Sequence, residues 1–222
     1  MSAVIPSGRA AIGRVSWVFD VISPFAYLAS KQLNRVPASV QLDFVPVLFA
    51  GLLHHHGQIG NAEIESKRRF TYRFVSWRSR QLGIPLRMPP AHPFNPLAAL
   101  RLILAAGSTR DAVERVFDAV FRDGRDVTDP AVIGEIAASL GIADATRAIE
   151  APPIKQTLRD NTQWAIDKGV FGVPTWVIGR ELFWGQDAFD MALDYLRDPV
   201  TFDDSMQAVD SLPVGVMRRR GT

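Results

Sequence analysis

Four residues, Ser23-Pro24-Phe25-Ala26, stand where a dithiol redox site would carry Cys-x-x-Cys, at the junction of an apolar strand and a helix. Ser23 followed by Pro24 is a helix start: a hydroxyl at the N-cap, then proline at the first helical position. The first N–H groups of a helix lack helical partners and, with the helix dipole, favour negative charge. In a dithiol site that field lowers the pKa of a thiol. This chain has no cysteine, which excludes disulfides, thiolate metal sites and cysteine nucleophiles together. A serine hydroxyl is too weak an acid to replace the anion. It can, however, donate a hydrogen bond to a thiolate brought in from outside. The residues point to a bound thiol cofactor, with glutathione the abundant candidate; a plain N-cap role for Ser23 is the alternative.

The elements that must position this motif can be read from pattern. Val15 to Phe19 is a strand with apolar neighbours on both sides. The helix after Ser23 carries Tyr27, Leu28 and Leu33 and stops before Pro37, and Val40 to Val45 is a second strand, giving β-α-β with parallel pairing. From about 47 to 168 the signals are helical. Asn61 caps a helix bearing Ile64, Phe70, Phe74 and Trp77, the aromatics at core spacing, with Arg68, Arg69, Arg73, Arg78 and Arg80 on a basic face read as solvated, attraction of an anionic substrate being the alternative. Asn95-Pro96 restarts a helix to Gly107, Ser108 with Asp111 resembles a capping box, and Asp129-Pro130 and Pro152-Pro153 open two more. The stripe Val113, Val116, Phe117, Val120, Phe121 is one helix face. "PTWVI" and "ELFW" form a hairpin around Gly179-Arg180, and Gly185-Gln186-Asp187 opens a terminal helix. The result is an α/β chain: a thioredoxin-like fold (14–46 and 165–198) with an inserted all-helical domain (47–164) and flexible termini (1–13 and 199–222).

In thioredoxin-like folds a cis-proline before the third strand lies beside the first helix N-terminus. Val173-Pro174 occupies that place. A cis bond would leave the Val173 N–H and C=O to pair with a bound peptide such as glutathione, strand fashion. Backbone N–H groups of Gln186 and Asp187 suit a γ-glutamyl carboxylate, and the Asp187 side chain suits the ammonium group. Asp187 as a simple N-cap is the alternative.

Phe19-Asp20 with Ser23-Pro24-Phe25-Ala26-Tyr27-Leu28-Ala29, and Phe171-Gly172-Val173-Pro174-Thr175 with Leu182-Phe183-Trp184-Gly185-Gln186-Asp187, carry a family resemblance. The chain resembles 2-hydroxychromene-2-carboxylate isomerases, kin of kappa-class glutathione transferases and of disulfide oxidoreductases with a helical insertion. The likeness covers about residues 15–196. It implies a glutathione-dependent cis–trans isomerase of an aromatic-derived unsaturated keto acid. Ser23 would orient the glutathione sulfur, and Val173, Pro174, Trp184, Gln186 and Asp187 would contact the cofactor. The middle departs from the family pattern: Gln58 stands at the place of an asparagine and His54 where lysine is common, while Lys67 matches a recurrent lysine and His92 lies where the family keeps a residue beside the substrate. His54, Gln58, Lys67 and His92 are therefore substrate candidates. A kappa-like transferase on another electrophile and a non-catalytic thioredoxin-like binding module are the other readings.

The bulk numbers fit. The chain has 222 residues, 47% hydrophobic and 22% charged, with net charge +2, which gives no reason to expect nucleic acid. Arg218-Arg219-Arg220 reads as a solvated tail end. Three consecutive imidazoles, His54-His55-His56, point about 100° apart on a helix and converge poorly on one ion, so no metal is expected; lining a cleft or facing solvent are the alternatives. No apolar run suits a membrane span or a signal peptide, so the expectation is a cytoplasmic protein, its dimerisation left open.

Overall fold

A computed structural model describes residues 13–200, 202, 209–213 and 215. The expected termini, and the arginine run at 218–220, lie largely outside the described residues. Four strands form one sheet in the order β2-β1-β3-β4: β1 (Arg14–Phe19), β2 (Gln41–Pro46), β3 (Thr175–Ile178) and β4 (Glu181–Trp184). β1 pairs with β2 in parallel, and the crossover contains α1 (Pro24–Ser30). β3 runs antiparallel to β1 and to β4. This mixed sheet is the thioredoxin-like frame.

β1 is apolar on both faces because both are covered. Val15, Trp17 and Phe19 enter the larger buried cluster, while Val18 enters a smaller one with Val47, Leu52, Ala165, Val170 and Val177. Between β2 and β3 lie α2 (Phe49–His56), α3 (Glu65–Leu82), α4 (Leu97–Ala105), α5 (Arg110–Phe117), α6 (Pro130–Ser139), α7 (Ala145–Glu150) and α8 (Pro152–Asp167). α9 (Phe189–Arg197) follows β4.

Several local expectations shift. Asn61 begins a single 3-10 turn, and α3 starts after it at Glu65. The cap before α5 is Thr109, whose hydroxyl accepts from the Ala112 N–H at 3.2 Å, while Ser108 takes φ +50° as the linking residue. α9 opens at Phe189, because 185–188 form a turn whose Gln186 C=O receives the Phe189 N–H. The stripe from Val113 to Phe121 is buried throughout, although the helix widens into a π turn over Asp118–Arg122.

That stripe welds the inserted helices to the sheet. The Phe117 ring lies 6.2 Å from Trp17, 5.7 Å from Phe19 and 6.3 Å from Tyr27. Residues from both parts of the chain thus share one buried cluster. Phe117→Ala should cost about 3–5 kcal/mol, as for other large aromatics truncated in a close-packed core. Urea unfolding measures it; a loss under about 1 kcal/mol would mean this junction is not tightly packed.

Candidate functional site

Ser23 is the N-cap of α1, with extended φ/ψ of −88° and 112°. Its Oγ accepts the Ala26 N–H at 3.2 Å and donates to the Val173 carbonyl at 3.5 Å, across 150 residues of sequence. The second bond is at the outer limit of hydrogen-bond length, so the hydroxyl proton is only weakly held. The first turn is more economical than the sequence suggests. Pro24 has no N–H, Ala26 serves the Ser23 hydroxyl and Tyr27 serves the Ser23 carbonyl. Among the described residues, the Phe25 N–H alone in this turn stays uncommitted. Ser23 is 9% exposed, so a ligand atom reaches it only at a narrow opening.

The closing motif arrives beside it. The Val173-Pro174 peptide is cis. No described residue takes the Val173 N–H, and the Pro174 carbonyl accepts from the Gly185 N–H at 2.8 Å. Trp184 lays its indole over Gly172 so closely that a Cβ there would fall 2.3 Å from Nε1. The indole remains half-exposed, with Phe171 edge-on at 5.1 Å. Gly185 has φ +104°, and the Asp187 carboxylate folds back over it, 2.3 Å from where a Cβ would stand. Only glycine fits both constraints. Gln186 is buried and its Oε1 accepts from Arg78 Nε at 2.8 Å. Asp187 is exposed, and no described residue hydrogen-bonds its carboxylate.

Ser23 meets Val173 directly, Pro174 follows in the cis peptide, Trp184 covers Gly172, and Gln186 and Asp187 follow Gly185, whose N–H binds the Pro174 carbonyl. Of the other four candidates, three fall elsewhere and His92 lies beside the loop that leads to Ser23. His54, Gln58 and Lys67 are exposed, and no described hydrogen bond or ring contact joins them to that group. His92 has both ring nitrogens engaged: Nε2 with the Ile22 carbonyl at 2.7 Å and Nδ1 with the Tyr72 hydroxyl at 2.8 Å. Because Nε2 faces a carbonyl, it carries the proton, and the single Tyr72 hydroxyl proton lies between neutral Nδ1 and the His92 carbonyl, 2.9 Å away. Burial holds the imidazole below its ordinary pKa. This geometry braces the residue just before Ser23. Of the histidine run, His56 meets the Val170 carbonyl at 3.1 Å. Among the described residues no cluster of three His, Asp or Glu could hold a metal ion, and no helix is long and apolar enough to cross a membrane.

Two features were misread from the sequence. Phe70, Phe74 and Trp77 are not core: Phe70 is 66% and Trp77 46% exposed. They stack in series along α3, with centroids 5.9 and 5.7 Å apart, and Phe74 reaches Phe25 at 5.9 Å. Their helical spacing defines a common face but not what covers it. Arg78 leaves the supposed solvated face to grip Gln186.

Asp20 was missed as a structural centre. It is fully buried, and its two oxygens take the N–H groups of Ile22 at 3.0 Å and Phe49 at 2.8 Å. A lone acid inside the apolar run "SWVFDVI" was the available signal.

Residues 14–197, which span this frame and the helices within it, match a family model, the DSBA-like thioredoxin domain. The chain belongs to that family. Its curated relatives include glutathione S-transferase kappa 2 of Caenorhabditis elegans, 25% identical over 83% of this chain and 92% of that one. Another is the 2-hydroxychromene-2-carboxylate isomerase of Pseudomonas putida, 27% identical over 80% and 91%. Among solved structures, a 2-hydroxychromene-2-carboxylate isomerase superposes with TM-score 0.70 at 22% identity, covering 90% of this chain and all of that one. The cytosolic disulfide reductase DsbM of Pseudomonas aeruginosa with GSH gives 0.56 at 17%, with the same coverage. These structures share the fold. Having no cysteine, this member lacks dithiol chemistry of its own.

Burial pushes the Asp20 carboxyl up to about 7, against the pull of its two N–H donors. The folded state therefore binds this proton more tightly than the unfolded chain does. Asp20 contributes stability that is full below its ordinary value of 3.8 and is lost as pH rises through about 7. Relative to Asp20→Asn, the wild type should weaken across that window and level off above it. Urea midpoints of the two proteins against pH check this; parallel curves would show an ionised Asp20 throughout.

Proposed function

We propose that the protein binds glutathione and uses its thiol to isomerise an unsaturated α-keto acid derived from an aromatic ring, in the manner of 2-hydroxychromene-2-carboxylate isomerases. The observation that carries this reading is the Ser23 hydroxyl in a chain without cysteine. It stands beside the cis Val173-Pro174 peptide, its proton weakly held and the Phe25 N–H uncommitted. Both donors suit a thiolate supplied by a ligand. The uncommitted Val173 N–H suits the backbone of a peptide, and the Trp184 indole its flank. The relatives' names support a thiol peptide of this kind.

The chemistry is covalent catalysis by a borrowed nucleophile. The thiolate adds to the conjugated carbon and the C=C electron pair moves into the keto group as an enolate. Rotation occurs about the new single bond. Collapse of the enolate expels the thiolate and restores the double bond in the other geometry, so glutathione is regenerated. In this reading residues 14–46 and 165–198 hold the cofactor and 47–164 supply the wall against the electrophile. The stacked Phe70, Phe74 and Trp77, reaching Phe25 two residues beyond Ser23, are apt for an aromatic partner. Dependence on reduced glutathione fits the cytoplasm. The kappa-class relative favours a second reading, in which the adduct is kept as product.

Incubation with glutathione and 2-hydroxychromene-2-carboxylate separates the two. The isomerase reading expects a change in substrate absorbance with no net consumption of glutathione; stoichiometric consumption indicates the transferase, and no glutathione binding by calorimetry at millimolar concentration sinks both. Ser23→Ala should still bind glutathione, with a smaller thiolate fraction by ultraviolet absorbance and turnover down by about tenfold or more, the worth of one hydrogen bond to a charged sulfur. Unchanged turnover would remove Ser23 from the chemistry.

A further inference from the structure

Arg78 sits on α3, in the helical part, and reaches the loop after β4. Its Nε donates to Gln186 Oε1 at 2.8 Å, and Gln186 is 3% exposed. The arginine itself is half-buried, and no ion pair joins it to a carboxylate among the described residues. A partly desolvated guanidinium without a counter-ion is costly until something anionic completes it. Binding Gln186 through Nε leaves both Nη groups without a hydrogen-bond partner among the described residues, the planar fork that matches a carboxylate.

One residue past Gln186 is Asp187, exposed, its carboxylate folded over Gly185 and taken by no described donor. A cation and an anion thus serve the same short loop without neutralising each other. A ligand end that carries a carboxylate and an ammonium on one carbon matches this pair of charges. Glutathione has such an end, because its first peptide bond runs through the glutamate side chain and leaves the α-amino-acid head intact.

We infer that Arg78, from the helical part, takes the α-carboxylate of the bound thiol peptide, completing recognition of the head whose ammonium the Asp187 side chain suits. The inference rests on the glutathione reading and extends it. Gln186 becomes a positioning residue, its buried amide fixing the plane of the guanidinium from one edge while the other edge faces the ligand. The helical part then contributes to cofactor recognition as well as to the wall against the electrophile.

The test is calorimetry with three peptides: glutathione, its analogue lacking the α-carboxylate (4-aminobutanoyl-Cys-Gly) and its analogue lacking the α-amine (glutaryl-Cys-Gly). The wild type should prefer glutathione to either analogue by about tenfold or more, as hydrogen bonds between charged groups allow. Arg78→Ala should erase the preference over the decarboxylated peptide while keeping the preference over the deaminated one. Asp187→Asn should do the reverse. Arg78→Lys keeps the charge without the fork and should lose part of the carboxylate preference; it gives the same comparison if Arg78→Ala does not fold. If Arg78 is only a strut for Gln186, the variants weaken all three peptides by one common factor, which overturns the inference but leaves glutathione binding standing. If the wild type binds none of the peptides, the glutathione reading falls and takes the inference with it.

Discussion

Two loops at the end of the sheet that carries this site are hung on a carboxyl group that water cannot reach. Asp20 leaves the end of β1 and takes one N–H from its own loop, at Ile22, and one from the entry to α2, at Phe49. Burying a carboxyl group is expensive, and two backbone donors recover part of that cost. In return the two βα loops at one end of the sheet hold a fixed relation to each other. The Ile22 carbonyl then receives His92, and His92 receives Tyr72 from α3. Ser23 follows directly in the chain, so its N-cap geometry inherits the rigidity of that line of hydrogen bonds. A site whose chemistry depends on a hydroxyl aimed within a few tenths of an ångström needs this kind of support.

Absence of cysteine changes what such a frame is for. A dithiol site holds its reactive atoms covalently, so it needs only to tune them. Here the sulfur would belong to a molecule that must be recognised, oriented and released. That demand would account for features a self-contained redox site would not require: an exposed indole over Gly172, an Asp187 carboxylate with no donor among the described residues and a half-buried arginine tied to a buried amide. It also fits the narrowness of the approach. Ser23, Val173 and Gln186 are all nearly closed to solvent, so a thiol bound there would meet donors rather than bulk water, and hydrogen bonds to its charge would be strengthened accordingly.

The frame was legible in the sequence because it is built from strong local signals. Ser23-Pro24 announces a helix start, the apolar run through Trp17 and Phe19 a doubly covered strand, and Gly179-Arg180 a hairpin; each decides its own few residues. The meeting of Ser23 with Val173 was legible through the two motifs read together. What stayed hidden were interactions that depend on where a helix is aimed. Phe70, Phe74 and Trp77 have the spacing of a buried face, yet periodicity records only that residues share a side, not which neighbour covers it. Arg78 looked like one of five solvated arginines because nothing local marks which of them turns inward. Asp20 carried a signal, charge inside an apolar strand end, but the Phe49 N–H that answers it is 29 residues away. His92 was legible as a residue near the site; its exact partners, one backbone carbonyl and one phenol, were not.

α3 shows why the helical part cannot be regarded as a passive cover. Of its 18 residues only Val75 and Ser79 are buried, so apolar burial does little to fix its position. What fixes it is a set of contacts with the site itself: Tyr72 to His92, Phe74 to Phe25, Arg78 to Gln186. Phe74 and Arg78 are one turn apart, and the two parts they touch are far apart in the chain, Phe25 two residues after Ser23 and Gln186 beyond β4. A helix held in place chiefly by the groups that would surround a ligand gains stability when that ligand adds contacts, and binding then tightens both ends of the site at once. The same constraint limits what substitution can achieve here, because a change on α3 that improves the fit to an electrophile acts through the helix on Gln186 as well. In the glutathione reading, cofactor recognition and substrate selectivity would therefore be linked through one helix and three side-chain contacts.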